Sequence, residues 1–165
     1  PSPFAVDGLL YITSGYFQDP KRPVFAIRPG ARGDFTLAAG QTSNEFIRWS
    51  LQRTGPYNTS PIVYRGLYFT LLDRGMAPCH DSATGAVVYN RTRFPRGASF
   101  TASPWAYNGK IFCLDERGTT HVVSADRKFR VERTNPLGEL CLASPSIARG
   151  RLLIRTAAHV YCIGK

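Results

Sequence analysis

The sequence lacks the features that mark several large protein classes. Its apolar stretches fall well short of the roughly 20 residues that a membrane-spanning helix needs, so we expect no membrane span. The cysteines include no adjacent pair and no CxxC spacing, which leaves neither a zinc site nor a thioredoxin-type motif supported. No segment places apolar residues at helical spacing between capping residues. Helix is therefore expected to be nearly absent.

Acidic residues are scarce, with 11 Asp and Glu against 21 Lys and Arg, so the formal net charge is +10. We expect the surface to attract anionic partners and to lose that attraction as the salt concentration rises. A simpler interpretation is a solvated basic surface, because the arginines are scattered along the chain. The sequence has no zinc-finger spacing, no helix-turn-helix pattern and no aromatic RNA-binding motif, so no specific nucleic-acid partner is expected.

The sequence does contain a motif that is repeated four times: Ser-Pro, four further residues, a glycine and then an apolar run. The copies begin at Ser2, Ser60, Ser103 and Ser144, which are 58, 43 and 41 residues apart. Self-similarity with a period near 40 predicts a repeat architecture in which each unit buries its core against its neighbours.

Each repeat contains several short candidate strands separated by turns. The first two strands are joined by a residue pair suited to a tight hairpin, because both turn positions favour positive φ. The pairs are Asp7-Gly8, Arg65-Gly66, Asn108-Gly109 and Arg149-Gly150. Three repeats contain four candidate strands, and the fourth repeat contains three. In the second repeat the third strand is expected at 76–80.

Four short antiparallel strands in a repeat of about 40 residues are typical of a β-propeller blade. We therefore predict an all-β fold, a β-propeller segment of about four four-stranded antiparallel blades of which the last lacks its fourth strand. The chain is one segment, 1–165, with blades at approximately 1–57, 58–100, 101–141 and 142–165. Extra length in the first repeat, at 15–23 and 31–44, predicts mobile loops.

Residues 79–89 carry a family resemblance. They resemble the Ala-x-Asp-x-x-Thr-Gly-x-x-x-Trp docking motif of the pyrroloquinoline-quinone-type repeat propellers, with Cys79 in place of Ala and Tyr89 in place of Trp. The resemblance implies that Asp81, Thr84 and Gly85 form a turn and that Tyr89 packs between blades. A weaker match at 26–30 leads to Trp49, which we also assign to blade packing. Trp105 follows the third Ser-Pro pair and is counted with these structural residues.

The family includes both quinoprotein alcohol dehydrogenases and the noncatalytic propeller of the bacterial outer-membrane barrel-assembly machinery. Its catalytic members bind the quinone beside a calcium ion, usually with a disulfide between adjacent cysteines. Here Asp73, Asp115 and Glu116 fall in predicted turns without the spacing of a calcium site. We therefore expect no catalytic residue, no cofactor and no metal.

The leading hypothesis is a noncatalytic propeller that binds or scaffolds a protein, and the resemblance implies a periplasmic or secreted location. Two alternatives remain open: a fragment of a pyrroloquinoline-quinone-dependent dehydrogenase, and a propeller that binds an anionic polysaccharide. A metal site is a further possibility, since His80, His121 and His159 each lie in or beside a third strand. The same positions equally suit ordinary strand residues.

A partner-binding surface is predicted where two kinds of loop open on the same face, those from strand four to the next strand one and those from strand two to strand three. Arginine is enriched at protein interfaces and also suits carboxylate or phosphate ligands. The arginines that map to this face are Arg53, Arg74, Arg96, Arg117 and Arg155. Alternatively, Arg74 and Arg117 only form salt bridges with the adjacent Asp73 and Glu116.

The strand count also leads to an expectation about assembly. We expect a processed or truncated N-terminus and a chain that forms the C-terminal half of a ring of seven or eight blades. Such an arc exposes the apolar sides of its end blades and an open strand edge. The partner is then the missing half or a second copy, giving a homodimer or larger assembly.

Overall fold

The computed structural model describes residues 1–16, 18–90, 92–95 and 97–164. Within these ranges the chain forms fifteen strands and no helix, and the strands form four antiparallel sheets that follow one another in chain order. Three sheets have four strands and the last has three. The predicted propeller segment, with its incomplete last blade, is confirmed. The described part of the chain also holds no helix that could span a membrane.

Blades 1 and 2 are complete. Blade 1 consists of β1 (Phe4–Val6), β2 (Leu9–Thr13), β3 (Val24–Ile27) and β4 (Ile47–Leu51). Blade 2 consists of β5 (Ile62–Tyr64), β6 (Leu67–Phe69), β7 (Cys79–Asp81) and β8 (Val87–Tyr89). In both sheets each strand pairs with the next along the chain, so each blade is a simple meander.

Blades 3 and 4 continue the meander. Blade 3 consists of β9 (Trp105–Tyr107), β10 (Lys110–Leu114), β11 (Thr119–Ser124) and β12 (Val131–Pro136). Blade 4 consists of β13 (Ser146–Ala148), β14 (Arg151–Arg155) and β15 (Val160–Ile163). Among the described residues β15 has a partner on one side only, so it is an edge strand.

The first hairpin of every blade has the same turn geometry. In the turn between β1 and β2, Asp7 has φ 50° and Gly8 has φ 74°, and the three other blades repeat this pair of left-handed residues at Arg65-Gly66, Asn108-Gly109 and Arg149-Gly150. Two consecutive residues at positive φ match the right-handed twist of the strands that they join.

The third and fourth strands pair with a register shift in each complete blade. The shifts fall between Ala26 and Ile27, between Cys79 and His80, and between Val122 and Val123. Such irregularities increase the local twist and redirect the side chains that follow. The shift falls at the equivalent position in all three complete blades.

Blade 2 departs most from the predicted boundaries. Its third strand was expected at 76–80 but is Cys79–Asp81, and Met76 forms only an isolated bridge with Arg93. Pro78 explains the difference, because it has no N–H to donate to a ladder. Its carbonyl still accepts a hydrogen bond from the Thr70 N–H at 3.0 Å.

The core consists of apolar clusters at the three junctions between blades. Tyr11 and Trp49 of blade 1 pack with Tyr68 of blade 2. The second junction buries a larger cluster, Leu67, Phe69, Leu71, Ala77, Cys79, Phe94, Phe100, Ile111, Cys113 and Val123. The third is built on Ala102, Leu114, Cys141 and Ile154. Each blade is therefore stabilised chiefly by its neighbours.

Candidate functional site: the rim and the inter-blade contacts

The loops after strand four and the turns after strand two are joined on one face by backbone hydrogen bonds. The Phe100 N–H donates to the Asp73 carbonyl at 2.9 Å, and the Cys141 N–H donates to the equivalent Glu116 carbonyl at 3.1 Å. We call this surface, formed by the described residues of 52–57, 72–75, 92–100, 115–118, 137–143 and 155–158, the rim. Its backbone is held by contacts between consecutive turns and loops.

The sequence assigns one arginine from each blade to this surface, and each of these four is exposed on the rim: Arg53, Arg74, Arg117 and Arg155. Arg93 of blade 2 is also exposed there. Arg96, which the sequence also assigned to this face, lies outside the described residues. The Arg117 guanidinium lies against Gly97, where a Cβ would come within 3.3 Å of Nη2. Among the residues that the structure describes, none of these four arginines forms an ion pair.

The acidic residues next to Arg74 and Arg117 have other partners. The Asp73 Oδ1 atom lies 3.5 Å from Arg22 Nη2, across the junction between blades 1 and 2. The Thr101 hydroxyl donates to Glu116 Oε1 at 2.7 Å. The alternative in which each arginine is neutralised by its neighbour in sequence is therefore not the arrangement in the structure.

The turn of the family-like motif docks on the preceding blade. Asp81 Oδ1 accepts hydrogen bonds from the Thr84 N–H at 3.0 Å and from its hydroxyl at 2.8 Å. Gly85 has φ 74°, and a Cβ there would lie 2.9 Å from the Trp49 ring. The Trp49 Nε1–H donates to the Ser82 carbonyl at 2.9 Å. Both the positive φ and the close approach favour glycine at this position.

Tyr89 and Trp105 contact neighbours in different ways. The Tyr89 ring, on the fourth strand of blade 2, meets the Phe129 ring of blade 3 edge-on at 5.8 Å. Burial raises the pKa of the Tyr89 phenol. Trp105 lies on a first strand instead, stacks on Phe112 at 5.4 Å and packs against the cluster between blades 3 and 4.

The repeated serines link the blades, a role that the sequence interpretation missed. The Ser2 N–H donates to Ser60 Oγ at 2.9 Å, the Ser60 N–H to Ser103 Oγ at 2.9 Å, and the Ser103 N–H to Ser144 Oγ at 2.8 Å. We call this chain of hydrogen bonds the serine relay. Its signal in the sequence was the recurrence of serine at the start of every repeat.

The three histidines lie in different surroundings. His80 is buried, which lowers its pKa. His121 Nε2 lies 2.9 Å from Asp115 Oδ2, and His159 Nδ1 lies 3.0 Å from Glu139 Oε1. Within 1–16, 18–90, 92–95 and 97–164, no group of three or more His, Cys, Asp or Glu side chains is placed to hold a metal ion.

Glu139 ties the loop before blade 4 to the blade itself. Its carboxylate accepts hydrogen bonds from the Thr156 and Tyr161 hydroxyls, each at 2.6 Å, and also faces His159. The Thr156 and Tyr161 donors and the His159 ring lower the pKa of Glu139 to about 2. The carboxylate is thus ionised and already engaged.

The cysteines are free thiols, three of them buried. Burial raises the pKa of Cys79 to about 11 and also raises the pKa values of Cys113 and Cys141. A thiol must lose its proton to act as a nucleophile or metal ligand, so these three groups are poorly suited to either role.

Cavities lie beside the blades at both ends of the arc, among them one of about 420 Å³ beside the hairpin of β1 and β2. Another, of about 840 Å³, lies beside blade 1, between the sheet residues Phe25, Ile27 and Ile47 and the loop 33–41. A third, of about 170 Å³, lies on the rim and is lined by Leu140, Leu142, Ala143, Arg155, Thr156 and Ala157.

Comparison with known proteins shows the fold and nothing finer. No protein-family model matches the chain, and no curated protein matches it either. BamB from Moraxella catarrhalis is similar in structure, with a TM-score of 0.65 at 13% identity over 94% of this chain. The quinohemoprotein alcohol dehydrogenase ADHIIG from Pseudomonas putida HK5 is also similar, with a TM-score of 0.60 at 16% identity over 92% of this chain. The computationally designed Ika8 protein has a TM-score of 0.62 at 10% identity over 97% of this chain.

The chain is much shorter than these similar structures. It spans 42% of the BamB chain, 27% of the dehydrogenase chain and 44% of the Ika8 chain. Because the identities are low and the matched arc is long, the likeness concerns the arrangement of blades. This chain shares the fold of part of each of these three proteins.

Proposed function

We propose that the chain is a noncatalytic β-propeller module of the pyrroloquinoline-quinone type that binds or scaffolds a protein partner through its rim. The observation that carries this proposal is the set of exposed rim arginines, at least one from each blade, that have no ion pair among the described residues. Guanidinium groups present a planar fork of donors that matches carboxylates. The partner surface is therefore acidic.

Apolar groups next to the arginines favour a protein over an anionic polysaccharide. Leu140 and Leu142 are both exposed on the rim, beside Arg155. A sulfated or carboxylated sugar chain would satisfy the arginines but would leave these side chains in contact with water. Protein interfaces combine arginine with apolar contacts in this way.

The fragment of a quinoprotein dehydrogenase remains as a second candidate, because a quinohemoprotein alcohol dehydrogenase is among the similar structures. Calcium favours several oxygen ligands around one point. Here Asp73, Asp115 and Glu139 are each engaged with a partner inside the fold. An absorption spectrum after adding the quinone and Ca²⁺ separates the candidates: a bound-cofactor spectrum supports the dehydrogenase, and an unchanged free-quinone spectrum supports the scaffold.

The proposal extends to assembly and location. Apolar side chains remain exposed on blade 4, among them Ile147 and Val160, and β15 has a strand partner on one side only among the described residues. We propose that these surfaces pair with further blades or with a second copy, and that the protein acts in the periplasm or outside the cell. Light scattering at low micromolar concentration should show a dimer or larger species. A monomer with a cooperative melt would contradict the pairing.

The rim is tested with the double variant Arg74→Gln/Arg117→Gln. We expect it to weaken binding of the acidic polymer poly-glutamate by about tenfold at low salt, while stability changes by less than about 0.5 kcal/mol. The matched control is Arg32→Gln/Arg149→Gln, which removes the same charge from exposed positions outside the rim. Equal losses in both variants would indicate a nonspecific effect of net charge and would refute the proposed site.

A further inference from the structure

The segment 140–142 on the rim places successive side chains on opposite sides. Cys141 is fully buried against the cluster between blades 3 and 4, whereas Leu140 is 52% exposed and Leu142 is 50% exposed. Alternation of this kind is expected of an extended backbone, in which successive side chains point in opposite directions. The two leucines are thus held outward by the burial of the cysteine between them.

The turn after β14 forms the opposite wall of a small cavity. The Ala157 N–H donates to the Leu140 carbonyl at 2.8 Å, and Thr156 donates to Glu139 from the same turn. These bonds fix the distance between the two walls. The cavity between them opens to solvent and has a volume of about 170 Å³, and Arg155 is one of its lining residues.

We propose that this cavity is the anchor subsite of the rim, and that it takes one apolar side chain, such as Phe or Leu, from a partner polypeptide in which a neighbouring carboxylate pairs with Arg155. This inference rests on the proposed function and specifies the partner's chemistry. Interface energy commonly concentrates in a few side chains that fill pockets beside charged pairs.

Volume and charge select this occupant. Pockets for small molecules and cofactors span roughly 300–1,000 Å³, so a cavity of about 170 Å³ suits a single side chain better than a whole ligand. The nearby carboxylate of Glu139 does not compete for Arg155, because it is occupied by the Thr156 and Tyr161 hydroxyls. Arg155 is exposed and forms no ion pair within the described ranges.

The test uses the full chain and two fluorescein-labelled peptides, Asp-Asp-Phe-Asp-Gly-Gly and the same peptide with Ala in place of Phe. We expect the Phe peptide to bind about tenfold more tightly, as measured by fluorescence polarisation at low salt. Leu142→Asn should abolish that preference, because it makes one wall polar. Arg155→Gln should weaken both peptides about fivefold and keep the preference.

Controls separate this subsite from the rim as a whole. Arg149→Gln removes an exposed charge from blade 4 outside the rim and should change neither affinity. Equal affinity of the two peptides for the unmodified chain would overturn the subsite. So would binding that is lost in Arg74→Gln/Arg117→Gln but is unchanged in Arg155→Gln and Leu142→Asn, an outcome that would leave the proposed rim function standing. If neither peptide binds at low salt, both proposals fail.

Discussion

The middle of the arc and its first blade carry the same repeated motif with opposite results. The residue eight places after the repeated serine is fully buried in the two central blades, as Tyr68 and Ile111, but is 38% exposed in blade 1, as Leu10. The residue occupies the same place in its own sheet each time. The comparison shows that a neighbouring blade decides burial, as expected of a repeat architecture.

The largest effect is expected at a junction between blades. Trp49→Ala removes a buried ring that contacts Tyr11 and Tyr68 and donates to the Ser82 carbonyl. We expect the free energy of unfolding to fall by about 3–5 kcal/mol, measured by chemical denaturation. Trp105→Ala, on the partly buried first strand of blade 3, provides a comparison and should cost less. A loss below 1 kcal/mol for Trp49→Ala would contradict the central role of the junctions.

Two equivalent positions, Ile111 in blade 3 and Leu10 in blade 1, allow a more direct test of whether the neighbouring blade determines stability. Ile111→Ala should destabilise the protein by about 2–5 kcal/mol, because it leaves a cavity in the core between blades 2 and 3. Leu10→Ala should cost markedly less, since its side chain already contacts water. Denaturation curves for the two variants decide the matter. Equal losses would show that burial within the individual sheet, and not the neighbouring blade, determines stability.

The serine relay predicts an asymmetry of smaller size. Ser60→Ala, Ser103→Ala and Ser144→Ala each remove the acceptor of a backbone N–H from the preceding blade, and each should cost about 0.5–1.5 kcal/mol. Ser2→Ala is the matched control, because no described residue donates to the Ser2 hydroxyl. It should be nearly neutral in the same thermal melts. A Ser2→Ala variant as unstable as the others would contradict the relay.

Acid should weaken the attachment of blade 4 selectively. The Glu139 carboxylate has its pKa lowered to about 2 by its hydroxyl donors and His159, so its ionised form stabilises the folded state. That stabilisation is complete above the ordinary pKa of 4.5 and is lost as the pH falls toward 2. The free energy of unfolding of Glu139→Gln should therefore be lower than that of the unmodified chain at pH 7, and the two values should converge near pH 2. Denaturation curves at several pH values measure this, and a difference between the two proteins that stays constant with pH would refute this account.

Thiol reactivity should report the same difference between centre and end without any mutation. Cys162 on the edge strand is exposed, whereas Cys79 and Cys113 are buried between blades 2 and 3. A thiol reagent should modify Cys162 rapidly and the buried cysteines only on unfolding. Mass spectrometry after brief labelling measures the order, and early modification of Cys113 would contradict it.

The hairpins could be predicted because their causes are local. Residues such as Asn108-Gly109 favour positive φ whatever surrounds them, and the structure places the turns there. The ion pair of Arg22 with Asp73 and the serine relay could not be predicted in this way, because their partners meet only once two blades have docked. In blade 2 the sequence contained the cause of an error. The apolar pattern predicts a third strand from Met76, but the strand begins only after Pro78, which has no N–H to donate.

The serine relay also gives the arc a polarity. Every N–H in it points from an earlier blade to a later one, so the Ser2 end offers a hydroxyl acceptor and the Ser144 end offers a backbone donor. The two ends are complementary to each other, and neither is complementary to itself. Only a head-to-tail contact can prolong the relay, and contacts of that kind generate closed rings or open filaments instead of face-to-face pairs.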